Sequence, residues 1–305
     1  MKKIAFVFPG QGAQSVGMGY DAYQQSENAK KVFDKFDEIS GRKISKICFE
    51  GPEDELKLTN NTQPAILATS IALLEEFKTQ TGIKADFVAG HSLGEYGALY
   101  EAGVLSLENT IKAISKRAEF MSQSKGGAMA AILGLDENKV KEIVENISKE
   151  DYVDVANYNT PVQIVITGSE IGIEKASKAL SEAGARRVVP LAVSGAFHSK
   201  MMENAGKSFE EFVKTLEIKD AQIPVITNVD AKETKKAQDF KEKMSRQIYS
   251  SVYWTQTIKN LEEQGVETIY EIGPGKVLSG LIKKISPNIN VVNIFDMNCI
   301  NNIQQ

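Results

Sequence analysis

Gly90-His91-Ser92-Leu93-Gly94 decides the reading of this chain. An apolar run, Phe87-Val88-Ala89, leads into it, and Glu95 to Ala102 follows with a helical pattern. Strand, tight turn and helix is the context in which a G-x-S-x-G motif works as a nucleophile elbow. On such a turn the serine is held in a strained backbone conformation with its Oγ projecting from the end of the sheet. The glycines two residues to either side of Ser92 let strand and helix pass closely without a Cβ clash. The helix N-terminus would also offer free backbone N–H groups, that of Leu93 first, to negative charge developing beside Ser92. The plainer reading is a glycine-rich turn with an ordinary N-cap serine, so the decision falls to the remainder of the chain.

That remainder excludes several classes. At 305 residues the chain suffices for one large domain with an insertion, or two modest ones. Hydrophobic residues make up 42% and charged residues 25%, the balance of a soluble globular protein. A net charge of -4 lacks the basic excess of a nucleic-acid binder, and it leaves any anionic substrate to be met by a local positive site. Cys48 and Cys299 stand far apart with no partner spacing, which argues against a disulfide framework or a zinc site and fits a reducing cytoplasm. The apolar N-terminal run ends at Pro9, short of a signal peptide, and no stretch has membrane-spanning length. The expectation is a cytoplasmic protein.

Working outward from the elbow, Lys3 to Phe8 reads as a buried strand followed by the loop Pro9-Gly10-Gln11-Gly12-Ala13-Gln14. A dinucleotide fingerprint would need a third glycine where Ser15 stands. The loop could instead aim backbone amides at a neighbouring site such as Ser92. Thr62-Gln63-Pro64 predicts a helix start with proline near the first turn, running to about Phe77. Ser106 to Ser122 predicts a helix on which Arg117 lies about 80° from the centre of the apolar stripe. An arginine there needs a partner, and a structural ion pair or a snorkelling side chain is the commoner case.

From Gly126 the pattern changes to strand 128–133, helix 137–147, strand 152–156, strand 163–167, helix 170–182 and strand 187–191. That β-α-β-β-α-β order is ferredoxin-like. Residues 126–193 are therefore expected to form a small α+β subdomain inserted into an α/β hydrolase-like domain, 1–125 plus 194–305, with a mainly parallel sheet. The cleft between them is a natural ligand site. Further helices are expected at 201–216, 240–250, 254–264 and 277–285, strands at 225–228 and 268–272, and a frayed polar tail from Asn298. Gly273-Pro274-Gly275-Lys276 is not a phosphate loop, because Val277 replaces the required hydroxyl residue.

Two histidines shorten the search for a base. His91 adjoins Ser92 on a tight turn, where neighbouring side chains point apart. His198 lies in the glycine-containing loop Ser194-Gly195-Ala196-Phe197-His198-Ser199, where the chain must return to the cleft. A neutral imidazole near its ordinary pKa of about 6.5 suits general-base work and needs an acceptor on its other nitrogen. No Asp or Glu between Ser92 and His198 carries motif support, which disfavours a simple lipase or esterase.

Taken together, Phe8-Pro9-Gly10-Gln11-Gly12, Thr62-Gln63-Pro64-Ala65, Gly90 to Glu95, Arg117, Asn157-x-Asn159 with Pro161, Gly195 to Ser199, Asn228-Val229 and Gly273-Pro274-Gly275 resemble the malonyl-CoA:acyl carrier protein transacylases, of the free-standing bacterial type. The resemblance implies Ser92 as nucleophile, His198 as general base and acid, and the amides of Gln11 and Leu93 as oxyanion hole. It implies that Arg117 pairs bidentately with the malonyl carboxylate, a geometry that lysine cannot match. Gln63, Asn157, Asn159 and Phe197 are implied in substrate binding, Phe197 as the aromatic that disfavours methylmalonyl. A main-chain carbonyl that orients the histidine maps to Gln247. One departure, Ser250-Ser251-Val252, has serine where many members carry proline before the valine, and it bears on where that carbonyl stands. Malonyl-CoA and acyl carrier protein are the implied partners, with no metal or resident cofactor, no nucleic acid and no membrane, and a monomer is expected. A hydrolase using the same serine and a non-catalytic carrier-docking scaffold stay open beside the transferase.

Overall fold

A computed structural model describes residues 2–303. The strands in chain order are β1 (Lys3–Phe8), β2 (Phe87–Gly90), β3 (Ala128–Leu133), β4 (Val153–Thr160), β5 (Gln163–Gly168), β6 (Arg187–Pro190), β7 (Val225–Ile226), β8 (Glu233–Thr234), β9 (Val266–Ile272) and β10 (Asn290–Ile294). They form two sheets, one in the order β10-β9-β1-β2-β7-β8 and one in the order β4-β5-β3-β6. All pairings in the larger sheet are parallel except β7 with β8. β1 and β2 lie at its centre, and Ala5, Phe6, Val7, Phe8, Val88 and Ala89 are wholly buried. Strands covered on both faces read as continuous apolar runs, as these two do.

The smaller sheet is antiparallel throughout, and the helices Glu137–Ile147 and Glu170–Glu182 pack with it around Ile132, Val144, Ile166 and Leu180. Asp136 and Ser169 cap these helices by accepting the backbone N–H groups of Asn138 and Gly172. Both helix spans fall where the pattern predicts them, and the connection is ferredoxin-like. β4, however, continues through Thr160 rather than ending at Ala156. Its polar residues Asn157 and Asn159 look like loop in the sequence, but their strand is paired on both sides, with β5 and with Val252.

The helix Thr59–Thr81 is buried on nearly every side and forms the spine of the larger core. It begins a turn before the expected start, so Pro64 is its sixth residue. Proline removes the N–H that would bond the Asn60 carbonyl. Arg42 Nη1 donates to that carbonyl at 2.6 Å and replaces the missing bond. The helix at 203–213 is shorter than expected, and the one expected from Phe240 runs Ala237–Arg246 and tightens into a single turn at Gln247–Tyr249. β8 and β10 were not predicted. The tail expected to fray from Asn298 is instead the helix Met297–Ile303, pinned by the buried Met297 and Ile300, while Gln304 and Gln305 lie outside the described residues.

At the elbow the backbones touch. A Cβ on Gly94 would stand 2.1 Å from the Phe8 carbonyl oxygen, and one on Gly90 would stand 2.0 Å from the Gly94 carbonyl carbon. Gly94→Ala is expected to cost about 3 kcal/mol of stability in urea unfolding through this overpacking. Gly280→Ala, in an open helical position with nothing within 4 Å of the added carbon, should be stabilising by about 0.5–1 kcal/mol.

Candidate functional site

β2 delivers the chain into the elbow at the end of the large sheet, and Ser92 takes φ 52°, a left-handed conformation disfavoured for a side chain with a Cβ. Only two other non-glycine residues among those described share it, and one is His198 at φ 56°. His198 sits where the chain returns from the small sheet, and its backbone N–H donates to the Ile248 carbonyl at 3.2 Å. The two strained residues meet: Ser92 Oγ lies 2.9 Å from His198 Nε2. On the far side of the ring, Nδ1 lies 2.9 Å from the Gln247 carbonyl oxygen and 3.1 Å from that of Ser250. Two carbonyls can only accept, so Nδ1 carries the proton and Nε2 is free to accept from the serine. Among the described residues no carboxylate orients the imidazole. Serine at 251 in place of proline is accommodated, since Ser251 Oγ donates to the Val155 carbonyl at 2.6 Å.

Arg117 closes the triangle. Its Nη2 donates to Ser92 Oγ at 3.0 Å and to Gln247 Oε1 at 3.0 Å; Nε reaches the same Oε1 at 3.2 Å, and Nη1 reaches Gln63 Oε1 at 2.6 Å. Its solvent exposure is 0%. It is neither snorkelling nor ion-paired, and all four bonds run to neutral oxygens. The Tyr96 ring stands 5.7 Å away. A buried charge hydrogen-bonded to neutral oxygens is costly; the buried Glu95 carboxylate favours it through space, and the charge in turn acts on its neighbour. Burial, and next the Arg117 charge, push the His198 imidazole down to about 3, against the ordinary value expected from sequence.

Ser92, His198 and Arg117 border a cavity of about 120 Å³ that Gln11, Leu93, Gln63, Asn157 and Phe197 also line, together with Met121 and Met129. Residues far apart in the chain and expected at the site are thus brought together. Asn159 stands one layer back, its Oδ1 accepting from His91 Nε2 at 2.7 Å, and His91 packs edge-on against Trp254 at 5.5 Å. Gln247 is wholly buried behind the pair. Its side-chain role was not foreseen: besides holding Arg117, Nε2 donates to the Ser92 carbonyl at 2.9 Å. The sequence gives Glu95 and Asn228 no evident part, although Asn228 Oδ1 accepts the Ser92 backbone N–H at 2.8 Å. The only signals for them were a carboxylate inside an apolar helix turn and an asparagine just after a strand. Burial raises the Glu95 carboxyl to about 7, and it pushes the Cys48 thiol up to about 12, leaving that sulfur inert as a nucleophile.

Among the described residues no group of three or more His, Cys, Asp or Glu side chains could hold a metal ion, and no helix is long and apolar enough to cross a membrane.

Fold and site together define an α/β enzyme class with a serine on a strand-to-helix elbow and a histidine against it, joined to a ferredoxin-like lobe. The chain belongs to the acyl transferase domain family, whose model matches residues 5–292. It is 48% identical over 97% of its length to the malonyl CoA-acyl carrier protein transacylase of Bacillus subtilis (strain 168), covering 94% of that protein. To the protein of the same name from Synechocystis sp. it is 40% identical, with 99% of this chain and 100% of the relative covered. Among solved structures, an acyl-carrier-protein S-malonyltransferase from Burkholderia pseudomallei 1710b superposes with a TM-score of 0.96 at 37% identity, covering 99% of both chains. A malonyl-transacylase in complex with a type II polyketide acyl carrier protein superposes with a TM-score of 0.95 at 35% identity, covering 98% of both.

Because the positive charge of Arg117 opposes protonation of His198, removing it must raise the imidazole pKa. In Arg117→Gln, an NMR titration of the His198 ring is expected to move upward from about 3, with the serine and the two carbonyl contacts retained.

Proposed function

We propose that the protein moves the malonyl group from malonyl-CoA to the phosphopantetheine thiol of acyl carrier protein, supplying extender units for fatty-acid synthesis. The observation that carries this reading is Arg117: 0% exposed, hydrogen-bonded only to neutral oxygens, and 3.0 Å from Ser92 Oγ. A carboxylate on the acyl group would give this guanidinium the bidentate partner it lacks, beside the atom that attacks. The names of the close relatives support the same substrate and partner.

The distances support a serine-ester route. Ser92 Oγ attacks the thioester carbonyl as its proton passes 2.9 Å to His198 Nε2. The carbonyl oxygen becomes an oxyanion facing the amides of Gln11 and Leu93. The tetrahedral centre collapses, the C–S bond breaks, and the CoA sulfur takes the proton from Nε2. The malonyl–Ser92 ester is then attacked by the carrier thiol, whose proton moves to Nε2 and on to the departing Oγ. His198 needs no carboxylate partner, because the Gln247 and Ser250 carbonyls hold its Nδ1–H. A substrate carboxylate that offsets Arg117 would raise the basicity of the imidazole, since the Arg117 charge is one of the causes that lower it. Phe197, buried in the wall of the cavity, would crowd a branched α-carbon, Gln63 and Asn157 would complete the binding surface, and Asn159 would act from behind it by holding His91. The reading includes a cytoplasmic monomer without a resident cofactor, built from a 126–193 subdomain inserted between 1–125 and 194–305.

Intact-mass spectrometry after mixing with malonyl-CoA should show one malonyl adduct on the parent protein and none on Ser92→Ala, discharged by acyl carrier protein. An adduct cleared by water but not by the carrier would indicate a hydrolase instead. Arg117→Ala should lower malonyl transfer on the order of 100-fold and acetyl transfer far less, measured with both CoA esters. Equal losses would remove Arg117 as the carboxylate ligand.

A further inference from the structure

Behind the nucleophile lies a buried polar cluster centred on Asn228, a residue that takes no part in the steps above. Asn228 is 0% exposed and does not line the cavity, yet each of its polar atoms is engaged. Oδ1 accepts the Ser92 N–H at 2.8 Å and Gln247 Nε2 at 3.2 Å. Nδ2 donates to the Gly90 carbonyl at 2.7 Å, and the Asn228 carbonyl accepts from Tyr253 N–H at 3.0 Å. Its own backbone N–H donates to Glu95 Oε2 at 2.6 Å, and Glu95 is 2% exposed on the first turn of the helix that leaves the elbow.

The atoms that this cluster grips are the ones that fix the strained serine. Gly90 C=O and Ser92 N–H lie on the approach to the φ 52° bend, and Gln247 Nε2 holds the Ser92 carbonyl beyond it. Ser92 is therefore clamped through both of its peptide groups, and the two clamping side chains bond each other. The same Gln247 holds His198 through its carbonyl and Arg117 through Oε1. Because Asn228 occupies the Ser92 amide, that N–H is held away from the oxyanion, and Leu93, the next residue, lines the cavity.

We propose that Asn228, anchored through its backbone by the buried carboxylate of Glu95, is a positioning residue that sets the Ser92 elbow and the Gln247 side chain in one register, aligning nucleophile, base and arginine together. The proposal rests on Ser92 being the nucleophile, and not on the identity of the acyl group. A residue that merely fills the core would affect stability and leave the reactivity of folded protein alone. A positioning residue acts on the rate at which folded Ser92 is acylated.

The test is acetylation of Ser92 by p-nitrophenyl acetate, a neutral ester that needs neither CoA nor carrier, followed by intact mass on Asn228→Ala, Asn228→Asp and Glu95→Gln, with thermal melts to confirm folding. A misplacement of about 1 Å slows a positioned reaction on the order of 100-fold. Asn228→Ala is expected to slow acetylation by roughly 10- to 100-fold on that basis, and to lower kcat for malonyl-CoA with KM little changed. Asn228→Asp keeps an acceptor for the Ser92 N–H and should restore much of the rate, while Glu95→Gln keeps an acceptor for the Asn228 N–H and should lose less than Asn228→Ala. Parental acetylation rates in folded Asn228→Ala would overturn the proposal, as would a change confined to KM. If Asn228→Ala does not fold, Asn228→Ser takes its place, since its shorter side chain cannot span the Ser92 N–H and the Gly90 carbonyl together: slowed acetylation in folded protein supports the role, and a parental rate overturns it. A parent labelled at Ser92 by the ester but not by malonyl-CoA would sink the malonyl reading and leave this one standing. A parent unlabelled by either would sink both.

Discussion

A guanidinium buried without a carboxylate is the constraint on which this molecule turns. Placing Arg117 in the core requires neutral acceptors fixed in advance, and Gln63 and Gln247 supply them from two distant parts of the chain. Gln63 is carried by the helix Thr59–Thr81, whose burial on nearly every side fixes its position. Gln247 sits on a tight turn after the helix Ala237–Arg246, where backbone and side chain face different partners. The arrangement leaves the guanidinium beside Ser92 Oγ with neutral hydrogen-bond partners and the Glu95 carboxylate acting on it only through space, a local cost in stability.

The same charge explains why the histidine is oriented by carbonyls. A carboxylate behind His198 would lie close to Arg117 and compete with an incoming anion for it. Two main-chain carbonyls hold the tautomer through dipoles alone and leave the arginine available. A neutral orienting group behind His198 and neutral hydrogen-bond partners on Arg117 thus occur side by side in the site.

The sequence carries the fold well wherever local signals agree. The small lobe is legible almost element by element, because its helices are capped and amphipathic and its strands are short and bounded by turns. The elbow and the Ser92–His198 pairing are legible because a motif and a scarcity of histidines narrow the choice. β4 is read too short, since Asn157 and Asn159 look like loop until the strand is seen to pair on both edges. The early start of the helix at Thr59 depends on Arg42 replacing the bond that Pro64 cannot make. The parts of Asn228, Glu95 and the Gln247 side chain are written only in three dimensions. Ser92 and Asn228 are 136 residues apart, and no local pattern couples them.

The short backbone contact between Asn157 and Val252 does more than join the two lobes. A four-stranded antiparallel sheet has two outer rims of unpaired N–H and C=O groups that invite a strand from another molecule. One rim here is β4, and it is covered by the chain around Val252: the Tyr158 N–H donates to the Val252 carbonyl and the Val252 N–H to the Ala156 carbonyl. The other rim is β6, only four residues long, with an exposed Arg187 at its start and at its end Pro190, which has no N–H to offer. Both rims of the lobe are thereby blunted against strand pairing, one by a crossing chain at Ala156–Tyr158 and the other by charge, brevity and proline.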